Sequence, residues 1–336
     1  MYNLAILGFG NVGRSLVKLL DRKRDELVSK HGFTVRITGV ASKSLGWRTN
    51  PSGYDVQKLL SSGPDGETSL NVTGWLRAAR ADVMFEASSL NFETGQPAIE
   101  HIRAALNNRT HAISANKGPV VHAYRELTDL ANQRNRRFYF ESSVMDGVPI
   151  FAMFREGLQG IDLRGFAGIL NSTTNVIISE MEQGRSFEDA VKKAQELGIA
   201  ETDPSADIDG WDSAVKISAL VTVMMGVDLK PEQVKREGIR GLTREMVSQA
   251  REAGSPYKLL CRAQRKGNTV EASVAPERIP FLNPVAQVSG TSSILSFETD
   301  IFPALTIIEE NPGLDATAYG MLADFISAVK SETQRI

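Results

Sequence analysis

The stretch from Gly198 to Lys216 gathers acidic side chains ahead of one lysine, a combination that could move protons. Its carboxylates are Glu201, Asp203, Asp207, Asp209 and Asp212. Asp212 and Lys216 are four residues apart, so they share a face if the segment is helical. Leu220 follows on that face and would draw the ammonium out of bulk water. A partly desolvated lysine paired with one carboxylate can serve as a proton donor or acceptor.

The simpler alternative is that Asp212 and Lys216 form a solvated ion pair on a helix, which contributes only about 0.3–0.5 kcal/mol to helix stability. The apolar spacing of Ile217, Leu220, Val221 and Met224 predicts the helix itself. The Asp, Pro and Ser residues before it favour turns. The density of the acidic run, together with a nucleotide motif at the other end of the chain, favours the catalytic interpretation.

That nucleotide motif is a glycine-rich turn. Gly8-Phe9-Gly10-Asn11-Val12-Gly13 stands between a strand pattern at Leu4–Leu7 and a helical pattern that begins at Ser15. In this context Gly8 permits the tight turn, Gly10 lets a pyrophosphate approach the backbone, and Gly13 lets helix and strand pack closely. The sequence therefore predicts a dinucleotide-binding site in which the phosphates contact a helix N-terminus.

The second strand is predicted at Val35–Val40 and bears on the cofactor's identity. An acid at the end of this strand usually binds the ribose hydroxyls of NAD. Here the chain continues Ala41-Ser42-Lys43-Ser44, without an acid. Lys43 and Arg48 could contact a 2′-phosphate, which favours NADP over NAD. The alternative is that both are solvated loop charges.

Strand and helix patterns alternate through the first part of the chain. Further strands are predicted at 82–87, 111–115 and 138–140, and helices at 97–106 and 124–132. This alternation indicates an α/β fold with a Rossmann-type, doubly wound parallel sheet. After Gly147 the pattern changes to a second α+β domain with a mostly antiparallel sheet. Its strands are predicted at 163–170, 258–263, 269–274, 294–297 and 306–308, before a tail helix at 316–329.

Composition narrows the class of protein. A hydrophobic content of 42% and 23% charged residues are typical of a soluble globular protein, and a formal charge of −2 argues against nucleic acid or an anionic membrane as partner. The single cysteine, Cys261, lies in an apolar run and is expected to be buried in a protein of a reducing compartment. Without a signal peptide or a membrane-spanning stretch, the cytoplasm is the expected location. The scattered histidines do not suggest a zinc site.

Four segments together resemble homoserine dehydrogenase over nearly the whole chain: Gly8–Gly13, Ser114–Pro119, Gly168–Asn175 and Gly198–Lys216. The resemblance implies an oxidoreductase that interconverts L-homoserine and L-aspartate 4-semialdehyde with NAD(P), on the route to threonine and methionine. It also implies a homodimer and a tail helix that packs on the nucleotide domain. The implied domains are 1–146 with 309–336, which bind the dinucleotide, and 147–308, which bind substrate, catalyse and dimerise.

The resemblance implies roles for individual residues. Lys216 matches the proton donor, Asp212 its neighbouring acid, and Lys117 a lysine between cofactor and substrate. Substrate-binding residues are implied at Glu201, which would bind the amino group, and at Asp207, Asn171 and Thr173. Besides Gly8–Gly13 and Lys43, cofactor contacts are implied for Ser88 and Gly313. A loop that holds a monovalent cation in some members, largely through backbone carbonyls, matches Glu141, Val144, Asp146 and Val148.

Two departures leave alternatives open. Ser172 stands where many members of the family have glycine, so a dehydrogenase of another amino-acid semialdehyde is the nearest alternative. Asp146 replaces the usual small residue of the cation loop. A dinucleotide-binding sensor without turnover is the alternative from another class, although a sensor would need none of the lysines and carboxylates described above. Feedback control by an appended regulatory domain is not expected.

Overall fold

The structure, a computed structural model, describes residues 1–333 and divides the chain into two compact units. The first unit comprises Met1–Met153 together with the chain from Gly313 onward, and the second comprises Phe154–Pro312. The sequence places the second domain at 147–308. Residues 147–153 belong with the first unit because the Phe151 ring packs against Phe140, with ring centroids 4.9 Å apart.

The first unit alternates strands and helices before the chain leaves it. Its strands are β1 (Tyr2–Leu7), β2 (Val35–Ser42), β3 (Gly46–Thr49), β4 (Glu67–Ser69), β5 (Val83–Glu86), β6 (His111–Ser114) and β7 (Phe138–Tyr139). Its helices are α1 (Asn11–Arg22), α2 (Arg24–His31), α3 (Val56–Ser62), α4 (Val72–Ala78), α5 (Ala98–Asn107), α6 (Lys117–Gln133) and α7 (Ile150–Ala152). A 3-10 turn occupies Glu141–Ser143.

The first sheet confirms the predicted doubly wound arrangement. Its order is β4-β3-β2-β1-β5-β6-β7, and the pairs from β2 through β7 are parallel. Leu4–Leu7 of β1 are all buried, as expected of a parallel strand covered on both faces. Strands β3 and β4 add an antiparallel edge that the sequence does not predict. Both are short and mostly exposed or half-buried, so they carry no apolar run.

The second unit is built on another sheet. Its strands are β8 (Leu163–Ile169), β9 (Lys235–Arg236), β10 (Tyr257–Lys266), β11 (Thr269–Arg278), β12 (Ser293–Thr299) and β13 (Leu305–Glu309). Its helices are α8 (Ser172–Glu182), α9 (Phe187–Glu196), α10 (Ser205–Ile208), α11 (Trp211–Leu220), α12 (Arg244–Glu252) and α13 (Pro284–Gln287). The chain then returns to the first unit with α14 (Leu314–Thr333).

The second sheet has the order β13-β12-β8-β10-β11-β9. Its pairs are antiparallel except that β9 runs parallel to β11, so the predicted mostly antiparallel sheet is confirmed. In the first unit, α14 closes the core: Phe325 is fully buried and packs with Leu4, Leu16 and Phe85. Within residues 1–333, no helix combines the length and apolarity needed to cross a membrane.

Candidate active site

The glycine-rich turn joins β1 to the N-terminus of α1. Gly8 has φ +93°, and a Cβ there would lie 2.2 Å from the carbonyl oxygen of Ala87. A Cβ on Gly13 would lie 2.0 Å from the carbonyl oxygen of Gly8, so both positions require glycine. Gly10 differs, because a Cβ there would meet nothing within 4 Å of the described residues. That open space above the first turn of α1 fits a pyrophosphate against the backbone.

The other residues of the turn divide by burial. Phe9 is buried in the core of the first unit, whereas Asn11 is exposed and Val12 is half-buried at the start of α1. Lys43 follows β2 directly and is exposed. Arg48, the second candidate for a 2′-phosphate, donates to the Leu45 carbonyl at 3.1 Å and to a threonine hydroxyl at 2.8 Å. Lys43 is therefore the cation better placed to bind an added phosphate.

A buried acid, Glu86, organises the ends of β5 and β6 and is not among the residues that the sequence singled out. Its carboxylate accepts the Ser88 N–H at 2.9 Å, the Ser88 hydroxyl, and the Ser114 hydroxyl at 2.8 Å. Burial raises the pKa of Glu86, and these hydrogen bonds oppose the shift. The acid within the apolar run Val83–Ala87 is the signal that could have identified it.

Lys117 begins α6 immediately after this network. Asn116 caps the helix by accepting the Gly118 N–H at 3.0 Å, and its own N–H donates to the Ser114 hydroxyl oxygen at 3.0 Å. Lys117 and Ser88 therefore follow neighbouring parallel strands at the carboxyl edge of the sheet, where ligands bind in such folds. Gly313 precedes α14, and a Cβ there would meet nothing within 4 Å of the described residues.

The predicted cation loop leads from β7 towards α7. The Glu141 carboxylate is buried, and its two oxygens accept N–H groups of α7 at 2.7 and 2.8 Å. Asp146 adopts φ +44° and accepts a hydroxyl of α14 at 2.7 Å. These carboxylates thus hold the loop to its helices. The carbonyl oxygen of Val148 accepts the Ile150 N–H at 2.8 Å, and a cation in this loop stays a prediction.

In the second unit, the predicted helix is α11, and Lys216 faces Asp212 on it. Nζ of Lys216 lies 3.4 Å from Oδ2 of Asp212, and the two side chains are only 16% and 17% exposed. Nζ also donates to the carbonyl oxygen of Leu170, at the end of β8. A solvated surface pair does not match this burial. A charged acceptor, Asp212, and a neutral one, the Leu170 carbonyl, both contact this ammonium.

Asp207 and Asn171 complete a polar cluster around that pair. Nδ2 of Asn171 donates to Asp207 Oδ1 at 2.6 Å and to Asp212 Oδ2 at 3.1 Å. Burial and the charge of Asp212 raise the pKa of Asp207, whereas hydrogen bonds from Asn171 and Thr173 lower it. The cluster therefore brings together three of the four residues expected to bind substrate, the predicted proton donor Lys216 and its neighbouring acid Asp212.

Within the described residues, Glu201, Asp203 and Asp209 make no side-chain hydrogen bond to this cluster. Glu201 is exposed, and its main-chain carbonyl accepts the Gln195 amide at 3.1 Å. Asp203 accepts the Ser205 N–H at 3.1 Å and is also exposed. Asp209 pairs with Arg240, with Nε 2.5 Å from Oδ1. The expectation of one crowded acidic cluster thus holds only for Asp207 and Asp212, because the chain turns at α10 before α11 begins.

Cys261 is fully buried in β10, as expected from its apolar neighbours. Burial raises the pKa of its thiol to about 11, which keeps it protonated and unreactive.

Comparison with known proteins identifies relatives over the whole chain. The family described as homoserine dehydrogenase matches residues 149–326, and the family described as homoserine dehydrogenase, NAD binding domain, matches residues 8–141. An NAD(+)-dependent homoserine dehydrogenase of Pseudomonas canavaninivorans is 33% identical, with 99% of this chain and 98% of that protein covered.

Solved structures of homoserine dehydrogenases are also similar to this chain. A homoserine dehydrogenase from Thiobacillus denitrificans has a TM-score of 0.86 and 31% identity, with 99% of this chain and 74% of that chain covered. A hyperthermophilic archaeal homoserine dehydrogenase mutant in complex with NADPH has a TM-score of 0.83 and 27% identity, with 98% of each chain covered.

Proposed function

The chain belongs to the homoserine dehydrogenase family of NAD(P)-dependent oxidoreductases, and we propose that it interconverts L-homoserine and L-aspartate 4-semialdehyde with Lys216 as the proton donor. The observation that carries the assignment of Lys216 is its mostly buried ammonium, held by Asp212 and the Leu170 carbonyl. A neighbouring carboxylate favours the charged form of a lysine, and the carbonyl contact orients its ammonium.

The residues of the chain manage charge and protons in this reaction. When bound, the nicotinamide supplies the hydride for aldehyde reduction or accepts it from the alcohol. Negative charge then develops on the carbonyl oxygen, and the Lys216 ammonium stabilises it and delivers the proton. Asp212 keeps the lysine charged for this step. We also assign Lys117 to the reaction, on the resemblance of the segment that contains it.

Glu201 and Asp207 are proposed to recognise the amino-acid part of the substrate. Glu201 presents an exposed carboxylate for the substrate ammonium. The ion pair between Glu201 and the substrate ammonium would distinguish an amino-acid aldehyde from a plain aldehyde. A substrate without the ammonium would leave the Glu201 carboxylate without its counter-ion. Asp207 and Thr173, which are hydrogen-bonded to each other, line the same proposed site.

We propose NADP as the preferred cofactor and NAD as the alternative. Support comes from the absence of an acid directly after β2 and from the exposed ammonium of Lys43 at that point. Lys43→Ala should raise KM for NADPH by about tenfold, the effect of roughly 1.4 kcal/mol of lost phosphate binding, and leave KM for NADH unchanged. Equal effects on both cofactors would exclude Lys43 as the 2′-phosphate ligand.

Three further expectations complete the proposal, the first two from the family resemblance and the third from the cysteine content. The first is a monovalent cation on main-chain carbonyls of the 141–148 loop, with Val144 and Val148 among the ligands. The second is a homodimer through the second sheet, supported by the edge strand β13, whose Ile308 is 48% exposed. The third is a cytoplasmic location, supported by a single cysteine that is buried and cannot form an internal disulfide.

An initial-rate assay with homoserine tests the function directly. Absorbance at 340 nm, the reduced-nicotinamide band, should rise with homoserine and NADP. The same assay with other hydroxy amino acids tests whether Ser172 has changed the substrate. A higher rate with one of those would favour the alternative dehydrogenase, and no rate with any substrate and either cofactor would favour a sensor.

A further inference from the structure

The hydrogen-bonding groups of the Asn171 side chain are all engaged within the protein. An asparagine offers two N–H donors and one carbonyl oxygen with two lone pairs. Nδ2 donates to Asp207 Oδ1 at 2.6 Å and to Asp212 Oδ2 at 3.1 Å. Oδ1 accepts the N–H and the hydroxyl of Thr174 at 2.8 and 2.9 Å. The orientation of the amide is fixed, because the Thr174 N–H can only donate.

We infer that Asn171 is a positioning residue, whose amide holds the Asp207 and Asp212 carboxylates side by side next to Lys216 without itself binding the substrate. The inference rests on the proposed function and refines it, since the resemblance places Asn171 among the substrate-binding residues. It follows from the geometry that a substrate could bond to Asn171 only by displacing one of these partners.

The electrostatics of the cluster explain why a bridging donor is needed. Two carboxylates at close range repel, and one of them tends to take up a proton. The charged groups that act on Asp207 are Asp212 and Lys216, both on α11. Asp207 is further desolvated by burial. Donation from Nδ2 to both acids offsets this repulsion, so Asp212 can remain ionised and aligned with the Lys216 ammonium.

Asn171 also caps α8, and the test must separate that role from the proposed one. Aspartate and serine cap helices about as well as asparagine does. Asn171→Asp keeps an acceptor for Thr174 but removes the amide donors. Asn171→Ser removes the two amide donors without adding charge, and its single hydroxyl hydrogen cannot donate to both carboxylates. A matched control is Asn71→Asp, because Asn71 caps α4 by accepting the Gly74 N–H at 2.9 Å and is exposed.

For Asn171→Asp we expect kcat with homoserine to fall by about 10²-fold at pH 9, the lower range for disturbing general acid–base catalysis. The loss should be smaller at pH 6, because the introduced carboxyl can donate a hydrogen bond when protonated. Asn171→Ser should lose at least tenfold without recovery at low pH. The affinity for NADPH should stay near that of wild type in both variants, and Asn71→Asp should retain kcat within about twofold. Thermal melts at both pH values check the fold: Asn171→Asp should melt lower at pH 9 than at pH 6, because at pH 9 it places a third carboxylate at a buried position.

The outcomes are distinguishable. If the wild-type protein shows no homoserine-dependent turnover, the proposed function fails. If the wild type is active but both Asn171 variants raise KM alone, with kcat and its pH dependence unchanged, Asn171 contacts the substrate directly and the inference is overturned. Wild-type kinetics in both variants would overturn it equally.

Discussion

Replacing Lys216 by methionine isolates the contribution of its ammonium, because methionine keeps a long apolar side chain. Loss of a general acid lowers kcat by about 10²–10⁴, which corresponds to roughly 2.7–5.4 kcal/mol in the activation free energy. We expect this loss for both directions of the reaction. The affinity for the dinucleotide should not change, because the glycine-rich turn that is proposed to bind it belongs to the first unit.

The same substitution should also lower stability by a predictable amount. Removing one partner costs about 0–1 kcal/mol for exposed ion pairs and about 3–5 kcal/mol for buried ones. The Lys216 and Asp212 side chains are 16% and 17% exposed, so we expect an intermediate cost of roughly 1–3 kcal/mol. Lys216→Met combined with Asp212→Asn removes both charges of the pair and should recover much of this stability while remaining inactive.

Three measurements separate these effects. Initial rates at 340 nm give kcat, titration of NADPH fluorescence gives the affinity for the dinucleotide, and thermal melts give the stability. Lys193→Met is the matched control, since Lys193 forms a looser pair with Glu196 at 3.8 Å on the surface of α9. The control should keep wild-type rates. A Lys216→Met protein that turns over within tenfold of wild type would refute Lys216 as the proton donor. Recovery of activity in the double variant would show that charge balance, and not proton donation, is what matters.

Other predictions concern binding and stability. Glu201→Gln should raise KM for homoserine about tenfold with little change in kcat. The control Glu196→Gln should change neither KM nor kcat. An unchanged KM in Glu201→Gln would exclude Glu201 as the ligand of the substrate ammonium. Because the folded-state pKa of Asp207 is raised, its contribution to stability falls as pH rises above the unfolded value of about 3.9. The melting temperature of Asp207→Asn relative to wild type should therefore increase from pH 4 to pH 8, and a constant difference would contradict the raised pKa. Gly13→Ala should destabilise the protein, because its Cβ would lie 2.0 Å from a carbonyl oxygen, whereas Gly10→Ala should retain stability but weaken dinucleotide binding.

The parallel strands could be predicted from sequence because short strand patterns, most clearly the apolar run Leu4–Leu7, alternate with helical patterns. The glycine motif was equally informative, since sterics alone require glycine at Gly8 and Gly13. Strand β3 carries no apolar run that would predict it, because its residues Gly46–Thr49 are mostly half-buried. It pairs with β2 through a tight antiparallel connection. Its formation depends on tertiary pairing, which residue periodicity does not encode.

The acidic run shows where sequence spacing stops being informative. Asp207 and Asp209 are two residues apart, yet the first accepts a hydrogen bond from Asn171 and the second pairs with Arg240. Gly210, at φ +77°, separates α10 from α11, so the helical spacing of α11 does not extend to the acids before it. The helical spacing of Asp212 and Lys216 was predictable because it lies within one element. The partners of the turn residues, Asn171 and Arg240, come from loop positions that are distant in the sequence.

Glu86 illustrates a principle by which such sites can be found without a motif. A carboxylate that is fully buried in a central strand would oppose folding unless every oxygen had a donor. The donors here are Ser88 and Ser114, and Ser114 in turn accepts the N–H of Asn116, which caps the helix that begins with Lys117. The desolvation of one acid thereby fixes two strand ends relative to each other. An acidic residue inside an apolar strand, followed by hydroxyl residues after that strand and its neighbour, is therefore a sequence pattern for a rigid ligand-binding edge.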